Sequence, residues 1–177
     1  MVPEAPLEPT EGGLAPSGEG WFVLNAREAL WKDGVFGAYT RFEGDHRFPQ
    51  VGINIGVLQP GQPACMYHRE DTQENFLVLS GSCLLLVEGE ERLLEQWDFV
   101  HCPAWTEHVF VGAGEGPCVL LAVGARPDNE VVYPVAEVAR RHGAGVGKET
   151  SDAKEAYASF SPDVPTGYRE GWLPKLG

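Results

Sequence analysis

The sequence predicts an all-β domain built as a sandwich or barrel. Between Val35 and Gly124, short apolar runs recur about every eight to twelve residues, each closed by Gly, Pro or a small polar residue. Gly and Pro are abundant, at 22 and 14 of 177 residues, which suits many turns better than a helix bundle. The same region lacks the strand–helix alternation that a parallel sheet requires.

The elements follow in chain order. Residues 1–20 are rich in Pro, Glu and Gly and poor in core-forming side chains, so a disordered or extended tail is expected. Order is expected to begin at Trp21. Asn25 followed by Glu28 is a capping-box spacing and predicts a short helix through Trp31. Val51, Ile53, Ile55 and Val57 alternate with Gly52, Asn54 and Gly56, the period of a half-buried strand. Pro60-Gly61 is a turn. Residues 75–79 and 83–87 are apolar runs separated by Ser80-Gly81. The acidic stretch 88–91 reads as a hairpin tip before Leu93-Leu94. Residues 109–111 and 118–123 flank the Gly-rich turn 112–116.

After Arg126 the pattern becomes helical. Pro134 opens a helix carrying Val135, Val138 and Ala139 on one side and ending at Gly143. Asp152 and Glu155 repeat the capping box for a second helix through Phe160. The remainder, with Pro162, Pro165, Trp172 and Pro174, reads as an extended arm whose aromatic residues pack on its own barrel or on a partner subunit. The domain plan is a tail at 1–20, a β-barrel at 21–126, and C-terminal helices with an arm at 127–177.

A formal net charge of −13 argues against nucleic acid and anionic membrane as partners, because both need basic surface to neutralise phosphate. The N-terminus lacks the basic start and apolar run of a secretory signal, and no stretch has the length of a membrane span. A cytoplasmic protein is expected. Cys65, Cys83, Cys102 and Cys118 form no Cys-x-x-Cys pair and sit in apolar stretches, as buried free thiols do in a reducing compartment. Their even number leaves a disulfide open.

Two segments carry the chemistry. The first runs from Gly61 to Gly81 and holds His68, Glu70 and Glu74; the second runs from Trp97 to His108. On a strand, His68 and Glu70 leave the same face. Glu74 has the parity of Phe76 and Val78, and His108 that of Phe110. Four inward polar groups are costly unless paired or metal-bound, and imidazole with carboxylate suits a divalent first-row metal. The alternative is that these residues cap exposed strand ends and turns. Met66, Phe76 and Phe110 share the same parity and would wall a small-molecule pocket or simply fill the core. His101 and Cys102 are read as buried structural residues, Tyr67 and Trp105 as rim or packing, and Asp98 as a turn residue. Cys65 and His68 are three apart, so on a strand they face opposite ways and make no nucleophile–base pair. Nucleophile-elbow, phosphate-loop, dinucleotide and HExxH motifs are absent.

The two segments resemble the two motifs of the cupin superfamily. In the first, His68, Glu74 and Gly81 match, Glu70 replaces the second histidine, and the spacer after the glycine is one residue longer. In the second, Pro103 and His108 match in register, Trp97 and Trp105 stand where glycines are usual, and Gly112 replaces the closing asparagine. The likeness covers roughly residues 50–125 and is similar to small bacterial single-domain cupins of unassigned activity. It implies a double-stranded β-helix, or jelly-roll barrel, holding a metal inside, and commonly a homodimer. Carried onto this chain, the ligands are His68, Glu74 and His108, with Glu70 in the remaining slot, as a direct ligand, as a partner orienting a ligand imidazole, or as a general base. Two histidines and a carboxylate suit Fe(II); Mn(II) and Zn(II) are alternatives. The expected function is metal-dependent chemistry on a small organic molecule, with oxygenase-type oxidoreduction first. A non-catalytic ligand-binding or regulatory barrel with a structural metal, and a metal-dependent isomerase or epimerase, are the alternatives.

Overall fold

The computed structural model describes residues 1–126 and 130–174. In chain order it contains β1 (Leu7–Thr10), β2 (Gly13–Pro16), β3 (Trp31–Gly34), β4 (Gly37–Thr40), β5 (Val51–Leu58), β6 (Arg69–Glu70) and β7 (Glu74–Ser80). Then follow β8 (Ser82–Val87), β9 (Glu90–Glu95), β10 (Phe99–Cys102), β11 (His108–Ala113), β12 (Cys118–Ala125) and β13 (Val131–Val132). The chain ends with α1 (Glu137–Arg141), α2 (Ala153–Ala156) and β14 (Val164–Thr166). The strands of the main sheets pair antiparallel: a seven-stranded sheet in the order β10-β7-β12-β5-β4-β3-β14, and a three-stranded sheet in the order β11-β8-β9. The short β6 pairs with β13.

The two main sheets close on a shared core of Leu58, Phe76, Val78, Cys83, Leu85, Phe110, Cys118 and Leu120. This is the expected jelly roll. Alternation decides which side chains enter it. Along β8, Cys83 and Leu85 point between the sheets, while Leu86 joins Tyr67, Val109 and Val111 against Val138 and Ala139 of α1. Truncating one such buried aromatic or leucine to alanine costs about 3 kcal/mol.

The outer face of the large sheet is covered by the chain's own C-terminus. Val57 packs with Trp31, Ala38 and Trp172, whose ring lies 5.1 Å from that of Trp31. Strand β14 extends the sheet beside β3. The aromatic residues of the arm are thus spent on this barrel.

Several elements differ from the sequence expectations. Residues 1–20, expected as a loose tail, carry the β1–β2 hairpin. The hairpin is held by bonds donated from Leu14 N–H to the Glu28 carbonyl and from Leu30 N–H to the Leu14 carbonyl. Gly13, at φ 133°, leaves no room for a Cβ, which would lie 2.3 Å from the Ala29 carbonyl oxygen. The helix expected from Asn25 to Trp31 is only a turn. Asn25 does accept a bond from Arg27 N–H, but Trp31 is fully buried as the first residue of β3. The two C-terminal helices are single turns, α1 and α2. Val138 and Ala139 face the core while Val135 is exposed. Asp152 caps Lys154 N–H as expected, but Glu155 bonds the Thr150 hydroxyl. Residues 127–129 and 175–177, the two ends of the expected C-terminal extension, lie outside the described residues.

Candidate metal centre

The stretch between β5 and β6 is not a strand but an irregular crossing that runs back along β11. Ala64 N–H donates to the Phe110 carbonyl, and His68 and His108 exchange backbone bonds of 3.2 and 2.8 Å. This bridge sets the two imidazoles side by side, with ring centroids 5.0 Å apart. Glu74 opens β7 on the inner face that Phe76 and Val78 continue. Across the sheet its register partner is Gly124, whose missing side chain leaves space for the carboxylate; a Cβ there would only touch it, at 3.5 Å.

The three side chains converge. One ligand atom each from His68, Glu74 and His108 lies within 4.8 Å of the others. His68 Nδ1 is 2.9 Å from the Met66 carbonyl and His108 Nδ1 is 3.0 Å from the Thr106 carbonyl. A carbonyl only accepts, so both rings donate from Nδ1 and the neutral form presents the Nε2 lone pair to the centre. Glu74 Oε2 stands 3.8 Å from His68 Nε2 and 3.2 Å from His108 Nε2. That oxygen is buried and has no hydrogen-bond partner. Two lone pairs and a carboxylate facing one another need a proton or a cation between them. Metal–ligand bonds of about 2.0–2.2 Å place neighbouring ligand atoms roughly 3 Å apart, so the donor set fits a small divalent metal.

Electrostatics point the same way. Burial, and then the neighbouring His108, lower the pKa of His68. Burial works to lower His108 as well, but the Glu74 carboxylate outweighs it and the net shift is upward. Burial would raise Glu74, and the two imidazoles, His108 first, hold it down instead. A cation bound among the three would displace any proton held there.

The other site residues are placed as follows. Glu70 lies outside the convergent trio: its carboxylate accepts from the Thr72 hydroxyl at 2.9 Å and its carbonyl accepts from Trp105 N–H. Its charge still helps raise His108. Phe76 and Phe110 line the cavity described below, with rings 4.5 Å apart. Met66 does not; it is buried on the far side of the crossing with Tyr133, Val146 and Ala156, because the chain there lacks strand parity. For the same reason Cys65 and His68 are neighbours, Sγ to Nδ1 3.7 Å, where facing opposite ways was expected. Burial pushes the Cys65 thiol far up, which disfavours the nucleophilic thiolate. His101 is exposed, its ring 2.8 Å from the Asn75 side-chain oxygen, while Cys102 is buried. All four cysteines are free. Asp98 accepts from Glu95 N–H in a turn.

A cavity of about 770 Å³ opens from the trio. Its floor is the Asn54, Gly56 and Leu58 face of β5 with Ala122 of β12, whereas the Val57 face points outward under Trp31 and Trp172. Its roof comes from the C-terminal segment: Tyr157 and Phe160 stack edge-on with Phe36 at 5.2 and 4.8 Å. Tyr157 also accepts a bond from Met66 N–H. Tyr39, Arg41, Asn54 and Tyr157 are cavity residues that sequence reasoning missed. Only Asn54 left a trace, as the lone amide in a strand of Gly and aliphatic residues. No described helix is long and apolar enough to cross a membrane.

Residues 54–124 match the family model described as Cupin domain. Among solved structures, the chain is similar to a sugar phosphate isomerase of the cupin superfamily from Silicibacter pomeroyi. The identity is 22% over 62% of this chain and 79% of that one, with a TM-score of 0.51. It is also similar to a candidate sugar phosphate isomerase from Acidithiobacillus ferrooxidans, at 29% identity over 47% of this chain, with a TM-score of 0.44. The matched part spans only 54% of that protein's length. A third is salicylate 1,2-dioxygenase from Pseudoaminobacter salicylatoxidans, at 20% identity over 49% of this chain and 24% of that one, with a TM-score of 0.42. No curated protein matches the sequence.

Proposed function

We propose that residues 54–124, a cupin domain by family match and by jelly-roll fold, hold one divalent metal through His68, Glu74 and His108 for chemistry on a small organic molecule. The observation that carries this reading is the convergence of the three donors at the wall of a cavity large enough for such a molecule. Three protein ligands leave coordination positions open, which favours a catalytic over a structural ion. Two histidines and one carboxylate suit iron first, with manganese and zinc as alternatives. When bound, the metal would supply a Lewis acid or, as iron, a redox centre.

The chain's own residues supply the rest. The Met66 and Thr106 carbonyls fix both imidazoles with Nε2 free. Phe76 and Phe110 exclude water from one side, and Tyr157 and Phe160 cover the other. Oxygenase-type oxidoreduction stands first because two histidines and one carboxylate with open positions suit Fe(II); Glu70, the proton carrier of the isomerase reading, is not among the described residues that line the cavity. The test is elemental analysis of the purified protein, followed by anaerobic loading with Fe(II) and oxygen-uptake measurements on a panel of small organic acids and alcohols. Folded protein that takes up none of Fe, Mn or Zn refutes the metal reading. Metal-loaded protein that consumes no oxygen with any of the panel moves the assignment to a binding or isomerising role.

A further inference from the structure

The far end of the cavity carries charge that the metal trio does not use. Arg41 leaves the end of β4, and the β4–β5 register, Tyr39 with Gly56 and Thr40 with Ile55, sets it next to Asn54. Both line the cavity, as does Lys154 of α2. The Arg41 guanidinium lies over the Tyr39 ring at 5.1 Å, which orients it without neutralising it. Arg41 and Lys154, like Arg27, Lys32, Arg47, Arg92 and Lys148, have no ion pair among the described residues, and of these only Arg41 and Lys154 line the cavity. The Asn54 amide likewise has no side-chain bond there. The one acid at this end, Asp163, accepts the Tyr39 hydroxyl at 3.1 Å. In a chain of net charge −13, two exposed cations at the rim of one cavity, neither held in an ion pair, attract a ligand of opposite sign.

The sheet order β4-β5-β12-β7 separates Arg41 from Glu74 by three strand spacings, roughly 14 Å along the sheet. One small ligand can therefore present different groups to the two ends. We propose that Arg41 and Asn54, with Lys154 from the roof, form a receptor for an oxyanion, carboxylate or phosphate, on the organic ligand whose other end lies at the His68–Glu74–His108 centre. A guanidinium fork matches either oxyanion, and the charge-assisted bonds hold the ligand in one orientation. The inference rests on the cavity reading above and adds a substrate class: hydroxy or oxo compounds ending in an oxyanion.

The experiment is calorimetric titration of metal-loaded wild type, Arg41→Gln, Arg41→Lys and Lys154→Gln, with metal content measured on the same samples. The probes are glycerol 3-phosphate and 4-hydroxybutyrate, with glycerol and 1,4-butanediol as their neutral counterparts. At least one anionic probe binds about ten-fold or more tightly than its counterpart, and Arg41→Gln removes that advantage at unchanged metal content. Arg41→Lys restores part of it, Lys154→Gln loses less, and added salt weakens the anionic probe alone. Which probe binds decides between phosphate and carboxylate. Equal affinity for charged and neutral probes, absence of binding by either anion, or binding indifferent to Arg41→Gln overturns the proposal. Arg41-dependent binding in protein that takes up no metal refutes the metal reading and leaves this one standing.

Discussion

Glu74 Oε2 lies buried 3.2 Å from His108 Nε2, with His68 Nε2 at 3.8 Å. A carboxylate oxygen taken out of water between two imidazole nitrogens needs a proton or a cation to offset its lost hydration. The same three atoms make the site favourable around a cation.

Removing a ligand should therefore change both metal content and stability. His108→Ala is expected to lower bound metal from about one equivalent to less than about a tenth, and Glu74→Gln to do the same. Glu74→Gln also removes the carboxylate that, despite burial, the His108 imidazole holds below its ordinary range, so at neutral pH the metal-free variant should unfold at a lower temperature than metal-free wild type. Elemental analysis and thermal unfolding, each with and without chelator, check both statements. Full metal occupancy in either variant contradicts the assignment.

Acid stability should depend on Glu43. Its carboxylate is nearly buried and takes a forked pair from Arg126, 3.1 Å for Nη2 to Oε2, together with Phe48 N–H at 2.7 Å. Burial alone would raise its pKa, but Arg126 and the Phe48 N–H prevail and hold it below the ordinary value of 4.5. A carboxylate with a depressed folded pKa contributes stability at pH above the unfolded value, and loses it as pH falls through the folded one. Glu43→Gln should cost on the order of 3 kcal/mol at neutral pH and flatten the stability profile below about pH 4.5. Denaturant titrations from pH 3 to 7 (about the range where carboxylates titrate) measure it; parallel curves for the two proteins would contradict it.

The barrel was legible in the sequence because its strands obey one rule. Residues 75–79, 83–87 and 118–123 are apolar runs cut by Gly or by small polar residues, and they became β7, β8 and β12. Local rules failed where tertiary contacts outweighed them. The Asn25 cap signal is real, since Asn25 bonds Arg27 N–H, but burying the indole of Trp31 under Trp172 is worth more than one turn of helix. The hairpin of residues 1–20 was hidden because its partner is the backbone at 28–30, which no hydrophobic pattern announces. In the site, His68, Glu74 and His108 could be named from motif spacing. Met66 and Cys65 were misplaced because parity was assumed across residues 59–68, which form no strand.

The cavity floor should control which organic ligand enters. Gly56 sits on the inner face of β5, and a Cβ there would meet only the Leu120 carbonyl, at 3.9 Å. A larger side chain has room at its base and then projects into the cavity. Gly56→Leu should leave fold and metal content unchanged and weaken any ligand that reaches Arg41 by about ten-fold or more. Titration with the anionic probes, alongside metal analysis, decides it. Undiminished binding would mean that ligands use another face of the cavity.

Trp97 and Trp105 occupy left-handed backbone at φ 76° and 69°, a region where a bulky side chain costs about 1 kcal/mol or more. Each conformation secures a backbone bond: Trp97 N–H donates to the Val78 carbonyl at 2.8 Å and Trp105 N–H to the Glu70 carbonyl at 2.6 Å. Glycine relieves the strain but loses more chain entropy on folding, about 0.5–1 kcal/mol, and forfeits whatever the indole buries. Trp97 is 67% exposed and Trp105 45%, so the forfeit is smaller at 97. Trp97→Gly is therefore expected to be neutral or stabilising, raising the melting temperature by up to about 3 °C. Trp105→Gly should lie below it and lower the melting temperature where the buried half of the indole outweighs the strain. Asparagine, which tolerates left-handed backbone with less entropy loss, should match or exceed glycine at 97. Differential scanning calorimetry of the three variants measures the order, and a clear loss of stability in Trp97→Gly would show that the exposed indole is held by more than its own backbone.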